Sequence, residues 1–412
     1  MISLAEAQQL DARDPLAARR DKFALKPEQI YLDGNSLGAM PHAAQQQVAA
    51  VTQLQWGEDL VTSWNKHAWI DLPFITAKKI APLIGAHRDQ VVVCDSVSVN
   101  LFKLLACALS LRPGRLRILT QQNNFPTDLY IADGLSDLLK HASYRVEKVP
   151  VNRLADALDN DVAVLLLTHV DFRSGHMHDM QRLTQAAHAA GALTVWDLAH
   201  SAGALPIALD DWEVDFAVGC GYKYLNGGPG APAFVYAAAR HHNALSQPLQ
   251  GWMGHAAPFD FAPDYRPRKG IAQFLSGTPP IISMAALDGA LSAFDGIDMT
   301  EVRIKSIALA ELLISQVESP PTLKTLKLAS PRSAEARGSH LCFQHEQAYE
   351  IVQALIDLDV VTDFRAPDLI RIGLTPLYTR FEDIWHCVDR LQKVMVNKLY
   401  AAPQYASRKS VT

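Results

Sequence analysis

The residue in this sequence that most needs a chemical explanation is Lys223. It lies in the string GYKYLNGGPG, within an otherwise apolar run that is typical of a β-strand. A buried ammonium group is unfavourable unless it loses its proton or reacts, and a lysine with a lowered pKa is what an imine with an aldehyde cofactor requires. The alternative is an edge-strand lysine whose amine reaches water.

Asp197 is the second such residue, 26 positions before Lys223 at the end of the apolar run LTVWD. His200 follows it three residues later. Ligands bind at the carboxyl ends of parallel strands, although a carboxylate there is about as often a helix cap. Pyridoxal phosphate needs both a carboxylate that keeps its pyridine nitrogen protonated and an amine for the imine. The pair therefore predicts an enzyme that uses this cofactor.

The string CDSVSVNLFK supplies a candidate site for the cofactor's phosphate. Ser96 and Ser98 lie at the predicted start of a helix, whose free N–H groups and dipole attract an anion. Simple N-capping by Ser98 is the competing interpretation. The turn NNFPTD at 123–128 offers a ring for stacking, Phe125, and an acid, Asp128.

Arg371 stands in the apolar string LIRIGL near the end of the sequence. A guanidinium group in such a place either binds a substrate carboxylate through two parallel hydrogen bonds or forms an internal salt bridge. The residues alone leave both interpretations open.

The elements that must position these residues follow an α/β pattern. Between about residues 43 and 290, strand-like strings such as VVVCDS, LRILTQ, VAVLLLTHV and ALTVWDLA alternate with amphipathic helices. This alternation predicts a mainly parallel sheet with helices on both faces. Because 412 residues exceed what one core usually supports, we expect two domains. The predicted parts are an N-terminal arm that joins the small domain (1–42), a large cofactor-binding domain (43–295), a small α+β C-terminal domain (296–400) and a frayed tail (401–412).

The composition narrows the class of protein. Hydrophobic residues make up 49% and charged residues 20%, with a formal net charge of -5, which is ordinary for a soluble enzyme and lacks the basic excess of nucleic-acid binding proteins. Five scattered cysteines argue against a disulfide framework. The sequence shows neither a signal peptide nor an apolar run of roughly 18 residues. We expect a cytoplasmic protein without a nucleic-acid or membrane partner.

Five strings resemble the kynureninases, which are fold-type I pyridoxal-phosphate enzymes related to class V aminotransferases. They are FPTD, DLAHSAG followed by DW, YKYLNGGPG and GWMGH, in the family's order and close to its spacing. The match runs from YLDGNSLG near residue 31 to TPLY near residue 378. The resemblance implies a seven-stranded-type sheet and hydrolysis of L-kynurenine, and more weakly of 3-hydroxykynurenine, to anthranilate or 3-hydroxyanthranilate and L-alanine. Tryptophan catabolism or NAD biosynthesis would be the context.

The resemblance also implies the roles of individual residues. Lys223 would carry the cofactor as a Schiff base with His200 beside it, and Asp197 would face the pyridine nitrogen. Tyr222 is our candidate acid/base at the substrate carbonyl. The implied cofactor-binding residues are Val97, Ser98, Phe125, Pro126, Thr127, Asp128, Thr168, Asp197, His200, Tyr222, Lys223, Trp252 and Thr278. The implied substrate-binding residues are Asn35, Ser36, Trp64, Gly277 and Arg371. No metal is implied.

Two features of the resemblance bear on assembly and specificity. Trp252 and Thr278 would reach the phosphate from a second subunit, so the active site would need a homodimer. Trp64, Gly277 and Thr278 match the bacterial type, which prefers kynurenine over its 3-hydroxy form. Val97 replaces a threonine found in many relatives, and its contact would be through the backbone.

Other functions fit the residues less well. A cysteine desulfurase needs a reactive cysteine on a mobile loop, whereas Cys342 and Cys387 lie in regular-looking apolar strings. An aminotransferase of the same fold is the other enzymatic alternative. A metal-binding or structural protein would use HMHD at 176–179 or RHH at 240–242, but no further ligands follow at a recognisable spacing. The string THVDFRSGH, with Asp171 and His176, has no assigned role.

Overall fold

The computed structural model describes residues 2–139 and 143–409, which form eleven α-helices and thirteen β-strands within that part of the chain. The helices are α1 (Leu4–Ala12), α2 (His42–Ala50), α3 (Ser63–Lys66), α4 (Leu72–Ile80), α5 (Val97–Ser110), α6 (Pro126–Leu138), α7 (Met180–Ala189), α8 (Ile281–Ala290), α9 (Met299–Glu318), α10 (Ala348–Ile356) and α11 (Phe381–Val396). The strands are β1 (Ile30–Tyr31), β2 (Val91–Val93), β3 (Arg117–Gln121), β4 (Arg145–Val149), β5 (Val162–Thr168), β6 (Leu193–Asp197), β7 (Phe216–Gly219), β8 (Phe234–Ala237), β9 (Lys327–Leu328), β10 (His340–Gln344), β11 (Val360–Val361), β12 (Asp363–Arg365) and β13 (Leu369–Gly373).

The larger sheet has seven strands in the order β2-β8-β7-β6-β5-β3-β4. Strands β4, β3, β5, β6 and β7 run parallel, and β8 lies antiparallel between β7 and β2. Successive residues of β5 enter different hydrophobic cores, Leu165 on one face and Leu166 on the other. A strand buried on both faces reads as a continuous apolar run, which is why the sequence predicted the mainly parallel sheet correctly.

The smaller sheet is antiparallel, in the order β12-β13-β10-β9. A separate hydrophobic core joins it to α9, α10 and α11. The N-terminal segment packs on this part of the molecule, because β1 pairs with β11 and α1 packs against α11. The α+β character of the C-terminal part follows the predicted pattern, and the predicted domain boundaries stay a prediction.

The expectation that Lys223 lies in a strand was wrong. β7 ends at Gly219 and β8 begins at Phe234, so Lys223 belongs to the connection between them. Asn226 in this connection has a φ of 58°, a left-handed conformation that a strand does not accommodate. Gly221 approaches another segment so closely that an added Cβ would lie 2.5 Å from the Pro232 carbonyl oxygen. The connection that contains Lys223 is therefore apolar because it is a buried turn, and it is not a strand.

The expectation of a frayed tail was also wrong for residues 401–409. The Tyr405 hydroxyl donates to Asp357 Oδ2 at 2.6 Å, and the Arg408 guanidinium lies 5.0 Å from the centre of the Phe364 ring. These contacts fix the segment on the smaller core, and residues 410–412 lie outside the described part. No helix in the described ranges is long and apolar enough to cross a membrane.

Candidate active site

A cavity of about 240 Å³ lies where β5, β6 and β7 end, at the carboxyl edge of the large sheet. Ten of the thirteen predicted cofactor-binding residues line it. The lining residues are Ser96, Val97, Ser98, Phe125, Thr127, Asp128, Thr168, Asp197, Ala199, His200, Cys220, Tyr222, Lys223, Ala231 and Ala233. Parallel strands bring their carboxyl ends to one edge, so residues far apart in sequence meet there.

Lys223 lies in the wall of this cavity. Its Nζ is 3.2 Å from Nε2 of His200 and 6.0 Å from the centre of the Phe125 ring. Burial lowers the pKa of Lys223. The neighbouring Cys220 and Asp197 oppose this shift, and the charge of Arg371 adds to it. The shift is toward the neutral amine, which is the form that attacks an aldehyde.

Asp197 ends β6 and is 2% exposed. Burial raises its pKa, and the nearby ammonium of Lys223 opposes that shift. Its Oδ1 accepts one hydrogen bond, from the Ala199 N–H at 2.8 Å. A carboxylate that is this deeply buried, with unused acceptor capacity, is suited to a cationic N–H group placed in the cavity.

Asp128 carries an oxygen without a partner. Thr168 Oγ1 donates to Asp128 Oδ2 at 3.0 Å, while the buried Oδ1 accepts no hydrogen bond within the described residues. Burial, followed by the charge of Asp197, raises the pKa of Asp128 well above its usual range. An orphaned buried oxygen at a cavity wall indicates a ligand that donates to it.

The first turn of α5 forms the other end of the cavity. Ser96 is the N-cap, and its side chain accepts from the Val99 N–H at 3.4 Å. The alternative that Ser98 caps this helix is therefore wrong. Val97 and Ser98 occupy the first helical turn and line the cavity, so their N–H groups have the position that binds an anion.

Four predicted residues lie away from this cavity. The Trp64 ring packs edge to face on Trp69, with ring centres 5.8 Å apart. Trp252 packs on Phe259, and Gly277 and Thr278 are exposed in the loop before α8. Pro126 is also not in the lining and begins α6 next to Phe125. The proposed role of Trp252 and Thr278 in a second subunit's site stays a prediction.

Arg371 and the N-terminal residues do come together. Arg371 is 1% exposed and binds Asp363 through two hydrogen bonds, from Nε to Oδ1 at 2.8 Å and from Nη2 to Oδ2 at 2.5 Å. Ser36 Oγ accepts from Nη2 at 2.7 Å. The Asn35 amide oxygen, in the orientation that satisfies its hydrogen bonds, accepts from Nε at 2.9 Å. The internal salt bridge, one of the two interpretations left open, is thus present.

Sequence reasoning missed the partners of this arginine. Asp363 and Arg365 form β12 with one residue between them, and Asp363 lies directly opposite Arg371 in β13. The string DFR before LIRIG carries the alternation that would have revealed them, since residues i and i+2 share a strand face. His340, whose ring centre is 5.4 Å from that of His200, was also missed.

Histidines of the two histidine-rich strings lie within hydrogen-bond distance of side chains of this protein. His178 Nε2 lies 2.6 Å from Gln121 Oε1, and His241 Nε2 lies 2.8 Å from Asp215 Oδ1. Asp171 Oδ1 accepts from the Ser174 N–H at 2.6 Å and shapes the loop after β5. Residues 2–139 and 143–409 contain no group of three or more His, Cys, Asp or Glu side chains arranged to hold a metal ion.

Comparison with known proteins identifies the family. Residues 302–391 match the family described as "Kynureninase C-terminal domain". The whole chain is 48% identical to the kynureninase of Burkholderia mallei (strain SAVP1), with 100% of each sequence covered. The chain belongs to the kynureninase family. The kynureninase of Pseudomonas fluorescens is 47% identical over 98% of each sequence, and the family consists of hydrolases.

Solved structures define the fold. A cysteine desulfurase from Escherichia coli has a TM-score of 0.78 at 20% identity, with 93% of this chain and 98% of that chain covered. An apo cysteine desulfurase from Thermococcus onnurineus NA1 has a TM-score of 0.77 at 18% identity, covering 92% and 98%. The prediction of the fold-type I pyridoxal-phosphate fold is confirmed.

Pyridoxal 5′-phosphate is the cofactor of this family, and the cavity fits it. An amine at Lys223, a buried acid at Asp197 and an anion-binding helix start at Val97 and Ser98 line one cavity. Asp128, whose buried Oδ1 has no hydrogen-bond partner within the described residues, lines the same cavity. These are the groups that an aldehyde, a protonated pyridine nitrogen and a phosphate require.

Proposed function

We propose that this protein hydrolyses the Cβ–Cγ bond of L-kynurenine to give anthranilate and L-alanine, and cleaves 3-hydroxykynurenine more weakly. The observation that carries the proposal is the meeting of Lys223 and Asp197 in one cavity of a chain that is 48% identical to a kynureninase over its full length. Tryptophan catabolism, or NAD biosynthesis through kynurenine, is the proposed context, and the cytoplasmic location stays a prediction.

The cofactor supplies an electron sink at the carbon that bears the substrate's amino group. Lys223 would hold the cofactor, and its amine, once free, would take the Cα proton. Asp197 would keep a proton on the pyridine nitrogen. Phe125 lies against the amine side of the cavity, where its ring is available for stacking.

Tyr222 is the proposed proton donor to the ketone oxygen when water adds at Cγ. Its ring centre lies 5.9 Å from Lys223 Nζ. Burial raises the pKa of Tyr222, and the neighbouring Cys220 and Asp197 raise it further. The phenol therefore keeps its proton at neutral pH and acts as an acid toward the oxygen.

The test of this function is steady-state turnover of L-kynurenine, followed by anthranilate fluorescence. We expect formation of anthranilate and L-alanine in equal amounts, and a kcat/KM for kynurenine roughly tenfold or more above that for 3-hydroxykynurenine. We expect this preference because Trp64, Gly277 and Thr278 match the bacterial-type kynureninases, which prefer kynurenine over its 3-hydroxy form. Consumption of a keto acid with amino transfer and without anthranilate would favour the aminotransferase alternative.

We further propose a homodimer with shared active sites. An open apolar groove is lined by Val51, Trp56, Trp69, Pro280, Ile281, Ile282 and Ser283. Trp56 is 57% exposed and Val61, nearby in sequence, is 76% exposed. The groove borders Thr278, one of the two residues assigned to the partner's site, which lies two residues before Pro280. It also borders the predicted substrate-binding residue Trp64, which packs on Trp69. Apolar surface of this kind is typical of protein interfaces.

Sedimentation velocity measures this assembly. We expect a dimer, and we expect Trp56→Glu to shift the protein toward monomer because it buries a carboxylate in an apolar interface. Activity is expected to fall together with the dimer fraction. Ile304→Glu is the matched control, because Ile304 is 63% exposed on α9, away from the groove. A wild-type monomer with full activity would contradict the proposal.

A further inference from the structure

One face of the small sheet carries two guanidinium groups. Asp363 and Arg365 are two residues apart in β12, so their side chains share a face of the sheet. Asp363 is paired with Arg371 in the antiparallel register, which puts Arg371 on the same face. This face is directed toward the large sheet, because Arg371 Nη1 donates to the Phe172 carbonyl oxygen at 2.7 Å.

The donors of Arg371 are almost fully used. Nε and one N–H of Nη2 bind Asp363, the other N–H of Nη2 meets Ser36 Oγ, and one N–H of Nη1 meets the Phe172 carbonyl. A guanidinium group has five N–H donors. One N–H of Nη1 is left for a ligand. A carboxylate held by two parallel hydrogen bonds therefore needs a second donor group.

Arg365 is that second group. Its side chain is 36% exposed, whereas that of Arg371 is 1% exposed. Nη2 of Arg365 meets Asp363 Oδ2 at 2.6 Å and Ser36 Oγ at 3.2 Å. Its Nε is buried and has no hydrogen-bond partner within the described residues. A buried cationic N–H without an acceptor indicates a missing anionic ligand.

Contacts connect the two guanidinium groups to the cavity. Burial is the main cause of the lowered pKa values of Lys223 and His200, and the charges of Arg371 and Arg365 are smaller contributions in the same direction. Phe172, whose carbonyl oxygen is bound by Arg371, packs its ring on Phe125 with ring centres 5.2 Å apart. Arg371 is thus linked to the cavity wall through Phe172 and Phe125, and Arg365 shares Ser36 and Asp363 with Arg371.

We infer that Arg365 is a second carboxylate-binding residue, which donates to one oxygen of the amino-acid α-carboxylate while the free N–H of Arg371 donates to the other. Asp363 is a positioning residue, because it binds both guanidinium groups and fixes the distance between them. The proposed function supplies only the identity of the substrate, since any α-amino acid at Lys223 presents the same carboxylate.

The test measures binding of L-alanine and of L-alaninamide to the holoenzyme, followed by the change in cofactor absorption. The amide keeps the amine and removes the anionic carboxylate. Arg365→Gln is expected to weaken L-alanine binding about 10- to 100-fold, because a charge-assisted hydrogen bond is lost, and to change L-alaninamide binding by less than about threefold. Unchanged L-alanine binding, or equal losses for both ligands, would overturn the inference.

Two further variants keep the test decisive. Arg365→Lys retains the charge and removes the fork, so it is expected to weaken L-alanine binding by less than Arg365→Gln, and it serves if the glutamine variant does not fold. Arg332→Gln is the matched control, because Arg332 pairs with Glu318 on the exposed surface. If the wild type fails to cleave kynurenine while Arg365 still governs L-alanine binding, the proposed function fails and this inference stands.

Discussion

The Lys223→Ala variant is expected to lose covalently bound cofactor and to lower kcat by on the order of 10³-fold or more. The methyl side chain of alanine can neither form the bond to the aldehyde nor take the Cα proton. One substitution therefore removes both the attachment of the cofactor and the base. The change does not disturb a strand, because Lys223 lies in the connection between β7 and β8. The absorption spectrum of the purified protein and anthranilate fluorescence are the measurements.

Lys148→Ala is the control for the loss of a lysine as such. Lys148 pairs with Asp133 at 2.7 Å on the partly exposed edge strand β4. We expect it to keep the cofactor spectrum and wild-type turnover, since surface ion pairs contribute little to stability. A Lys223→Ala variant that retains both the bound cofactor and full activity would refute the assignment of Lys223.

Several residues of the candidate active site could be predicted because the sequence indicates where the buried parallel strands end. Asp197 ends an apolar run, and apolar runs that are buried on both faces predict parallel strands whose carboxyl ends bind ligands. The local structure of Lys223 was not predictable in the same way. Its apolar neighbours fit a buried strand and a buried turn equally well, and the left-handed Asn226 decides for the turn.

The partners of Arg371 could not be predicted from the sequence for a different reason. The sequence placed a guanidinium group in an apolar strand and left two interpretations open. The register between β12 and β13, which pairs Asp363 with Arg371, decides for a salt bridge. Register depends on pairing between strands that composition does not encode.

Strand β4 was not among the predicted strands. As an edge strand it is mostly polar and lacks the apolar run of its neighbours.

The fold is shared with cysteine desulfurases, but the thiols of this chain do not fit that reaction. Cys342 lies in β10 and Cys387 in α11, and burial raises the pKa of each to about 12. Cys220 borders the cavity and also has a pKa raised by burial. A desulfurase needs an accessible thiolate, and these three buried thiols do not supply one.

Asp197→Asn is expected to separate binding of the cofactor from its use. The amide has nearly the same shape, so Lys223 still forms its bond and the absorption of the attached cofactor remains. Asparagine cannot hold a proton on the pyridine nitrogen, because it lacks the negative charge. We therefore expect kcat to fall by on the order of 10²- to 10⁴-fold, since a buried charge-assisted hydrogen bond is lost where charge develops.

The two variants are expected to differ in whether the spectrum of the bound cofactor is retained. Loss of turnover with loss of the spectrum is expected for Lys223→Ala, and loss of turnover with the spectrum retained is expected for Asp197→Asn. Asp133→Asn removes a partly exposed carboxylate that pairs with Lys148, and it is expected to change neither. If Asp197→Asn turned over kynurenine at the wild-type rate, then Asp197 would be only a cap for the Ala199 N–H, the structural role that its single hydrogen bond also permits.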